Sequence, residues 1–157
     1  STTGMLMYDV ASPGNPNYLN SIQHFRSCDP VVADENYAYV TLRGGTNCFT
    51  ETNELQIIDI SNPEELSVVA RQVMFNPHGL AIHGDYLLVC HGSAGLKVIN
   101  VSNREEPNVL STDNIPFAYD IIVDFPSAIV VGEGVLYQYD LSNLPEIVKT
   151  NELVLTN

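Results

Sequence analysis

One short motif recurs four times along this chain and constrains its fold more than any other feature. In each copy an apolar run ends in Asp or Asn, and an aliphatic residue, a small residue and a turn follow. The copies lie at 5–13, 55–63, 96–103 and 136–143. Their Asp or Asn stands at positions 9, 59, 100 and 140, so the spacings are 50, 41 and 40 residues. A period near forty residues indicates one supersecondary unit per repeat.

Each repeat unit predicts four short antiparallel strands. In the middle repeat, the apolar segments 79–82 and 86–90 flank Gly84-Asp85, a pair typical of a hairpin turn. Turns at 92–95 and 102–107 separate two further strand-like segments. We label the four strands a, b, c and d in chain order. Four short strands in forty residues are typical of a β-propeller blade. The Asp or Asn that closes strand c is expected to accept hydrogen bonds from the turn after it.

The predicted fold is therefore all-β, a β-propeller of about three and a half four-stranded antiparallel blades. The expected divisions are a half-blade at 1–27 and blades at 28–76, 77–115 and 116–157. Because the first motif opens in mid-blade, we expect part of a larger ring of seven or eight blades. Completion by residues outside the chain, pairing with a second copy, and a compact four-bladed ring all remain open.

Three segments, 55–63, 77–89 and 95–99, resemble the LVIVD repeat of bacterial and archaeal propeller proteins. Two departures are Gln138, which stands where other repeats have Ile57 or Val98, and the absence of Pro after Ser102-Asn103. The resemblance implies a propeller fold and an extracytoplasmic location, in the periplasm or at the cell surface, often with a lipid anchor. It implies no agreed activity and no catalytic motif.

Charge and hydropathy exclude several partners. Nineteen acidic residues face six basic ones, and the formal net charge of −13 opposes binding to nucleic acid and to anionic membranes. No apolar segment is long enough to predict a membrane span.

Alternating strand direction assigns the connections to two faces. The a–b and c–d turns lie on one face, here called the bottom, and the b–c and d–a connections lie on the other, the top. The bottom turns are acidic, as at 34–36, 62–65 and 103–106, and predict solvated charge without a cation site. The top connections hold the ligand-binding candidates His24, Arg26, Asp29, Arg43, Asn47, Phe49, His78 and His91. The b–c connection after Val40 is also eight residues longer than the one after Val89, which is typical of an added binding loop.

The three cysteines fall into two groups, two on the predicted top face and one in an apolar strand. Cys28 and Cys48 both fall on the predicted top face of one blade, so they are candidates for a disulfide, and the alternative of two unpaired thiols remains open. Cys90 ends an apolar strand and is expected to be a small core residue.

Two hypotheses for function remain. No nucleotide-binding or hydrolase motif is present, and the sequence predicts neither a cofactor nor a metal. We therefore expect a non-catalytic module or scaffold of the cell envelope that binds a protein or a glycan. The alternative is a propeller enzyme or metal-binding protein with its site at the channel mouth, around His78, Asp29 and His91.

Overall fold

The computed structural model describes residues 4–22, 30–45 and 52–155. Within these ranges the regular structure consists of β-strands, and none of the described residues forms a helix long and apolar enough to cross a membrane. The strands are β1 Met5–Asp9, β2 Asn17–Ile22, β3 Val31–Ala33, β4 Tyr37–Leu42, β5 Glu54–Asp59, β6 Ser67–Val73, β7 Leu80–His83, β8 Tyr86–Cys90, β9 Leu96–Asn100, β10 Asn108–Asp113, β11 Asp120–Asp124, β12 Ser127–Gly132, β13 Val135–Asn143 and β14 Glu146–Val154.

The strands form one two-stranded sheet and three four-stranded sheets, all antiparallel and ordered along the chain. We call β1–β2 the half-blade, and β3–β6, β7–β10 and β11–β14 blade 1, blade 2 and blade 3. This architecture confirms the predicted partial β-propeller.

The repeated Asp or Asn works as predicted. Oδ1 of Asp59 accepts hydrogen bonds from the amide and the hydroxyl of Ser61, at 2.9 and 2.6 Å. Asn100 and Asp140 hold Ser102 and Ser142 in the same way. The repeated motif therefore closes strand c by fixing the turn on the bottom face.

Blades pack face to face, and strand a takes part in the contacts between successive blades. Strand β7 contacts both β3 and β11. We call the sheet face that packs on the following blade the forward face, and the opposite one the backward face. Between blades 1 and 2, Tyr39 and Leu55 pack in one cluster with Leu80 and Leu87. Between blades 2 and 3, Leu88 and its neighbours pack in another cluster with residues of β11, β12 and β13.

Candidate functional site

A row of polar and aromatic side chains crosses the top face at the start of the inner strands. Arg43 follows β4 of blade 1 and donates to the ring of His78, with Nη1 3.1 Å from Nε2 and closer still to Nδ1. The His78 ring lies edge-on to Tyr119, with centroids 5.3 Å apart. His78 leads into blade 2 and Tyr119 into blade 3, so the row spans three blades.

Equivalent backbone bonds hold His78 and Tyr119 in place. The His78 amide donates to the Cys90 carbonyl at 2.7 Å, and the Tyr119 amide donates to the Val131 carbonyl at 2.8 Å. The Thr41 hydroxyl donates to the His78 carbonyl at 2.6 Å and ties blade 1 to blade 2. In blades 2 and 3, strand b therefore positions the residue that leads into strand a.

His78 and His91 are both neutral at pH 7. Burial, the Arg43 charge and His91 together lower the pKa of His78 to about 4, and burial and Lys97 lower the pKa of His91 to about 4. His91 is 5% exposed, and its Nε2 accepts the Phe75 amide hydrogen at 2.7 Å, so the remaining proton stands on Nδ1. Among the described residues Nδ1 has no partner. His91 therefore acts as a structural acceptor in the top connections.

Exposed aromatic rings flank this row. Phe117 has φ of 50° and leaves its ring 41% exposed, 6.2 Å from Tyr119. Phe75 is also exposed, beside His91. Backbone bonds between Gly92 and Ala118 join the b–c connection of blade 2 to the d–a connection that carries Phe117. The described parts of the top connections thus carry cationic, imidazole and aromatic groups.

The structure describes three of the predicted ligand-binding residues. It brings Arg43 and His78 together, and places His91 close enough to His78 to affect its pKa. His24, Arg26, Asp29, Asn47 and Phe49 lie outside the described residues, as do Cys28 and Cys48. Cys90 is fully buried with a free thiol, as predicted, and burial, with Asp120 beside it, raises its pKa. Sequence reasoning missed Tyr119 and Phe117, although the alignment of 118–120 with 77–79 could have found Tyr119.

The family model for the LVIVD repeat matches residues 26–72 and 77–112, which together make up more than half of the chain. The chain belongs to the LVIVD repeat family. A search of curated proteins gave no significant match.

Solved structures with a similar fold place these LVIVD blades among propeller proteins. The periplasmic gluconolactonase PpgL of Pseudomonas aeruginosa superposes with a TM-score of 0.72 at 14% identity, over 97% of this chain and 49% of its own. A functionally unknown protein from Desulfotomaculum acetoxidans gives 0.59 at 9% identity, over 94% and 62%. Apo AztD from Citrobacter koseri gives 0.50 at 16%, over 86% and 38%. The chain spans about half the length of PpgL, and these likenesses show the fold alone.

The bottom face of these LVIVD blades holds a cavity that the sequence did not predict. It is an open depression of about 530 Å³ between blades 1 and 2, and its lining residues include Asp34, Tyr37, His83, Asp85 and Arg104. Arg104 donates to Asp34 at 3.2 Å and to Asp85 at 2.8 Å, and its guanidinium lies 5.4 Å from the Tyr37 ring centroid. The cavity is therefore built around an ion pair that joins the two blades.

Both oxygens of the Asp34 carboxylate already accept hydrogen bonds from protein groups. Burial alone would raise its pKa, but bonds from the Tyr39 hydroxyl, the amides of Asn36 and Tyr37, and Arg104 hold that pKa below the ordinary value. Within the ranges the structure describes, no group of three His, Cys, Asp or Glu side chains could hold a metal ion. The bottom cavity thus contains mainly the ion pairs of Arg104 with Asp34 and Asp85, here called the bottom latch, which connect the two blades. The top face instead has exposed groups that a ligand could contact.

Proposed function

We propose that this chain is part of a non-catalytic propeller module of the cell envelope, which binds a protein or a glycan through its top face. The observation that carries the proposal is the row Arg43–His78–Tyr119 with exposed Phe117 beside it. Aromatic side chains and Arg are the residues most enriched at the energetic centres of binding surfaces. Arg43 also places a guanidinium on this surface of a chain whose net charge is −13.

The neutral histidines support binding over proton transfer. Nε2 of His91 already accepts the Phe75 amide, and Arg43 donates to the ring of His78. A general base needs an accessible lone pair within reach of the substrate proton. Both rings instead use lone pairs within the protein, so they shape the surface.

The proposed location is extracytoplasmic, in the periplasm or at the cell surface of a bacterium, with a lipid anchor where the protein carries one. It is supported by the family resemblance and by the periplasmic location named for PpgL. The ring itself is completed either by residues outside the chain or by a second copy.

Photo-crosslinking tests the proposed surface. Two exposed phenylalanines form a matched pair, since Phe117 lies on the top face and is 41% exposed, and Phe125 lies in a bottom turn and is 46% exposed. A benzoylphenylalanine placed at position 117 should give adducts with envelope components, and one at position 125 should give none. Equal labelling from both positions, or none from position 117, would contradict the proposal.

Direct binding gives the second test. Muropeptides and surface oligosaccharides of defined structure serve as glycan probes, and the adduct identified from position 117 serves as a protein probe. Loss of Arg43 or of the Phe117 ring, in Arg43→Gln or Phe117→Asn, should weaken binding about tenfold, which corresponds to roughly 1.4 kcal/mol. Asn tolerates the left-handed backbone at position 117. Phe125→Asn is the control and should leave affinity unchanged.

A second candidate function is an enzyme site at the same channel mouth, around His78, Asp29 and His91. The likeness to a protein named as a gluconolactonase favours this candidate. Hydrolysis of gluconolactone by the purified chain, abolished in His78→Ala, would support it. Equal turnover of gluconolactone by the original chain and by His78→Ala would exclude His78 from the reaction.

A further inference from the structure

The backbone of Phe117 is strained. Its φ is 50°, and among the described residues it is the one non-glycine with a positive φ. A bulky side chain is disfavoured in the left-handed region, and such strain persists only where the surrounding structure fixes it. Here Gly92 and Ala118 exchange two backbone hydrogen bonds, at 3.1 and 3.0 Å, directly beside Phe117. The fold therefore holds this residue in an unfavourable conformation.

The strained backbone presents the Phe117 ring to solvent. Phe117 is 41% exposed, and its ring is tilted by 31° against that of Tyr119, with centroids 6.2 Å apart. Phe125 on the bottom face is exposed to a similar extent, but its ring stacks on His83 with centroids 4.0 Å apart. Among the described residues no ring stacks on Phe117. One aromatic face on the top surface is therefore available to a ligand.

A carboxylate lies close to the same surface. Asp120 is the first residue of β11 and is exposed. Its Oδ1 accepts the Ile121 amide hydrogen at 2.9 Å, and among the described contacts nothing donates to Oδ2. A Cβ built on Gly79 would stand 2.0 Å from Oδ1, so this carboxylate lies against the backbone that carries His78. Asp120 therefore adds an acceptor with a negative charge to the top surface.

This surface carries both signs of charge around the exposed ring. Arg43 donates to the neutral ring of His78 on the blade 1 side, and Asp120 lies on the blade 3 side. A charged ligand that reached both sides would meet a like charge on one of them, and like charges repel. A neutral ligand that donates and accepts hydrogen bonds can use both groups. The hydroxyl groups of a sugar do so.

We propose that the top-face ligand is a neutral glycan, and that Asp120 and Arg43 select it against charged sugars; this inference rests on the proposed function, since it concerns the same surface. The C–H face of a pyranose packs on the Phe117 ring, because the face of an aromatic ring is electron-rich. Hydroxyl groups of the glycan donate to Asp120 and accept from Arg43. The net charge of −13 adds to the rejection of acidic glycans.

A glycan fits this surface better than a protein does. Protein interfaces are centred on several adjacent apolar side chains that become fully buried. The residues that hold Phe117 in place, Gly92 and Ala118, are small and buried, so they add no apolar side chain to the surface. A single ring flanked by groups of both charges instead matches the C–H and hydroxyl groups of a sugar.

Matched sugars test the selection. Oligosaccharides of glucose, glucuronic acid and glucosamine, equal in length and linkage and with the amines protonated, serve as probes together with the corresponding galactose set. Titration calorimetry measures their affinities for the purified chain. We expect the neutral member of a set to bind about tenfold or more tightly than its acidic and amino counterparts. A charged member that binds as tightly as the neutral one, or binding to no member of either set, would overturn the proposal.

Two exposed carboxylates at opposite ends of β11 give a matched pair of variants, Asp120 at the top and Asp124 at the bottom. Asp120→Asn keeps an acceptor oxygen and removes the charge, so the preference for the neutral over the acidic sugar should fall about tenfold. Asp124→Asn should leave that preference unchanged, and urea midpoints check that both variants fold. An unchanged preference in Asp120→Asn, or equal changes in the two variants, would refute the selection by Asp120.

Crosslinking from position 117 separates this proposal from the proposed function. Adducts with a protein alone, together with no sugar binding, would overturn the glycan as ligand and leave the top face as a binding surface. Adducts with a neutral glycan would support both. No adducts and no sugar binding would overturn both.

Discussion

Blades 2 and 3 have the same strand order and closely similar apolar patterns, yet one forward face is buried and the other is open. Ala81, Leu88, Cys90 and Leu96 are buried in the cluster with blade 3. The ladder places Ile122, Ile129, Val131 and Leu136 at the equivalent positions, and Ile122 is 72% exposed. Since the side chains are as apolar in blade 3, the neighbouring blade decides which of them leave water.

The largest expected effect tests that difference directly. Leu88 and Ile129 occupy equivalent positions, but Leu88 is fully buried and Ile129 is not. Leu88→Ala should lower the free energy of unfolding by about 3 to 4 kcal/mol, because it removes buried methyl groups and leaves a cavity. Ile129→Ala should cost about 1 kcal/mol or less, since much of its surface already meets water. Urea unfolding of the two variants measures the gap, and equal losses would break the comparison.

Only part of the fold and of the candidate site could be predicted from the sequence. The repeat predicted the strands and the Asx turns, since these depend on local residues such as Asp59 and Ser61. The apolar residues of β12 do not by themselves indicate which face is covered: Ala128 and Val130 are buried, whereas Ile129 and Val131 are exposed. Sequence placed Arg43, His78 and His91 on one face. It could not give the Arg43–His78 contact or the reach of Arg104 to Asp34, because both depend on how successive blades are rotated against each other.

A second difference lies at the top of strand b, where blade 2 has His91 and blade 3 has Gly132 at the equivalent position. The pKa of His91 is about 4 in the fold and near 6.5 in the unfolded chain. The unfolded state therefore binds more protons between these values, and stability falls as pH drops from 6.5 to 4. We expect the loss to be about 2 to 3 kcal/mol and to level off below pH 4.

His91→Gln isolates this effect from the acidic residues, because the amide oxygen can still accept the Phe75 hydrogen but does not titrate. Urea midpoints measured from pH 7 to pH 4 should show a shallower decline in this variant than in the original chain. His83→Gln, on the bottom face, is measured in parallel as the control for a His-to-Gln change away from the top face. A slope unchanged in His91→Gln would mean that the pKa of His91 is the same in the folded and the unfolded chain.

A third difference is Gly79 in blade 2 against Asp120 in blade 3, which occupy equivalent ladder positions. A Cβ on Gly79 would stand 2.0 Å from Asp120 Oδ1 and 2.7 Å from its Cα, so the blade interface would have to open. Gly79→Ala should cost about 2 kcal/mol through this overpacking. Asp120→Ala should cost less than about 0.5 kcal/mol, because Asp120 is exposed and bonds only its neighbouring amide among the described contacts. Thermal unfolding of both variants compares them, and a harmless Gly79→Ala would show that the blades can slide apart freely.

The smallest expected effect concerns the bottom latch, where blade 2 has Arg104 and blade 3 has Leu144 at the equivalent turn position. Arg104→Ala should cost about 1 kcal/mol, because a partly buried guanidinium bridges Asp34 and Asp85 and also bonds the Val101 carbonyl. Arg71, whose side chain is 56% exposed and pairs with Glu54 inside blade 1, is the control, and Arg71→Ala should cost less than about 0.5 kcal/mol. A double-mutant cycle of Arg104→Ala with Asp34→Asn should show coupling, since Asp34 belongs to blade 1. Because the ion pairs of Arg104 are only partly buried, 1 M salt should reduce the loss of stability in Arg104→Ala. A loss equal to that of Arg71→Ala would show that the bottom latch does not join the blades.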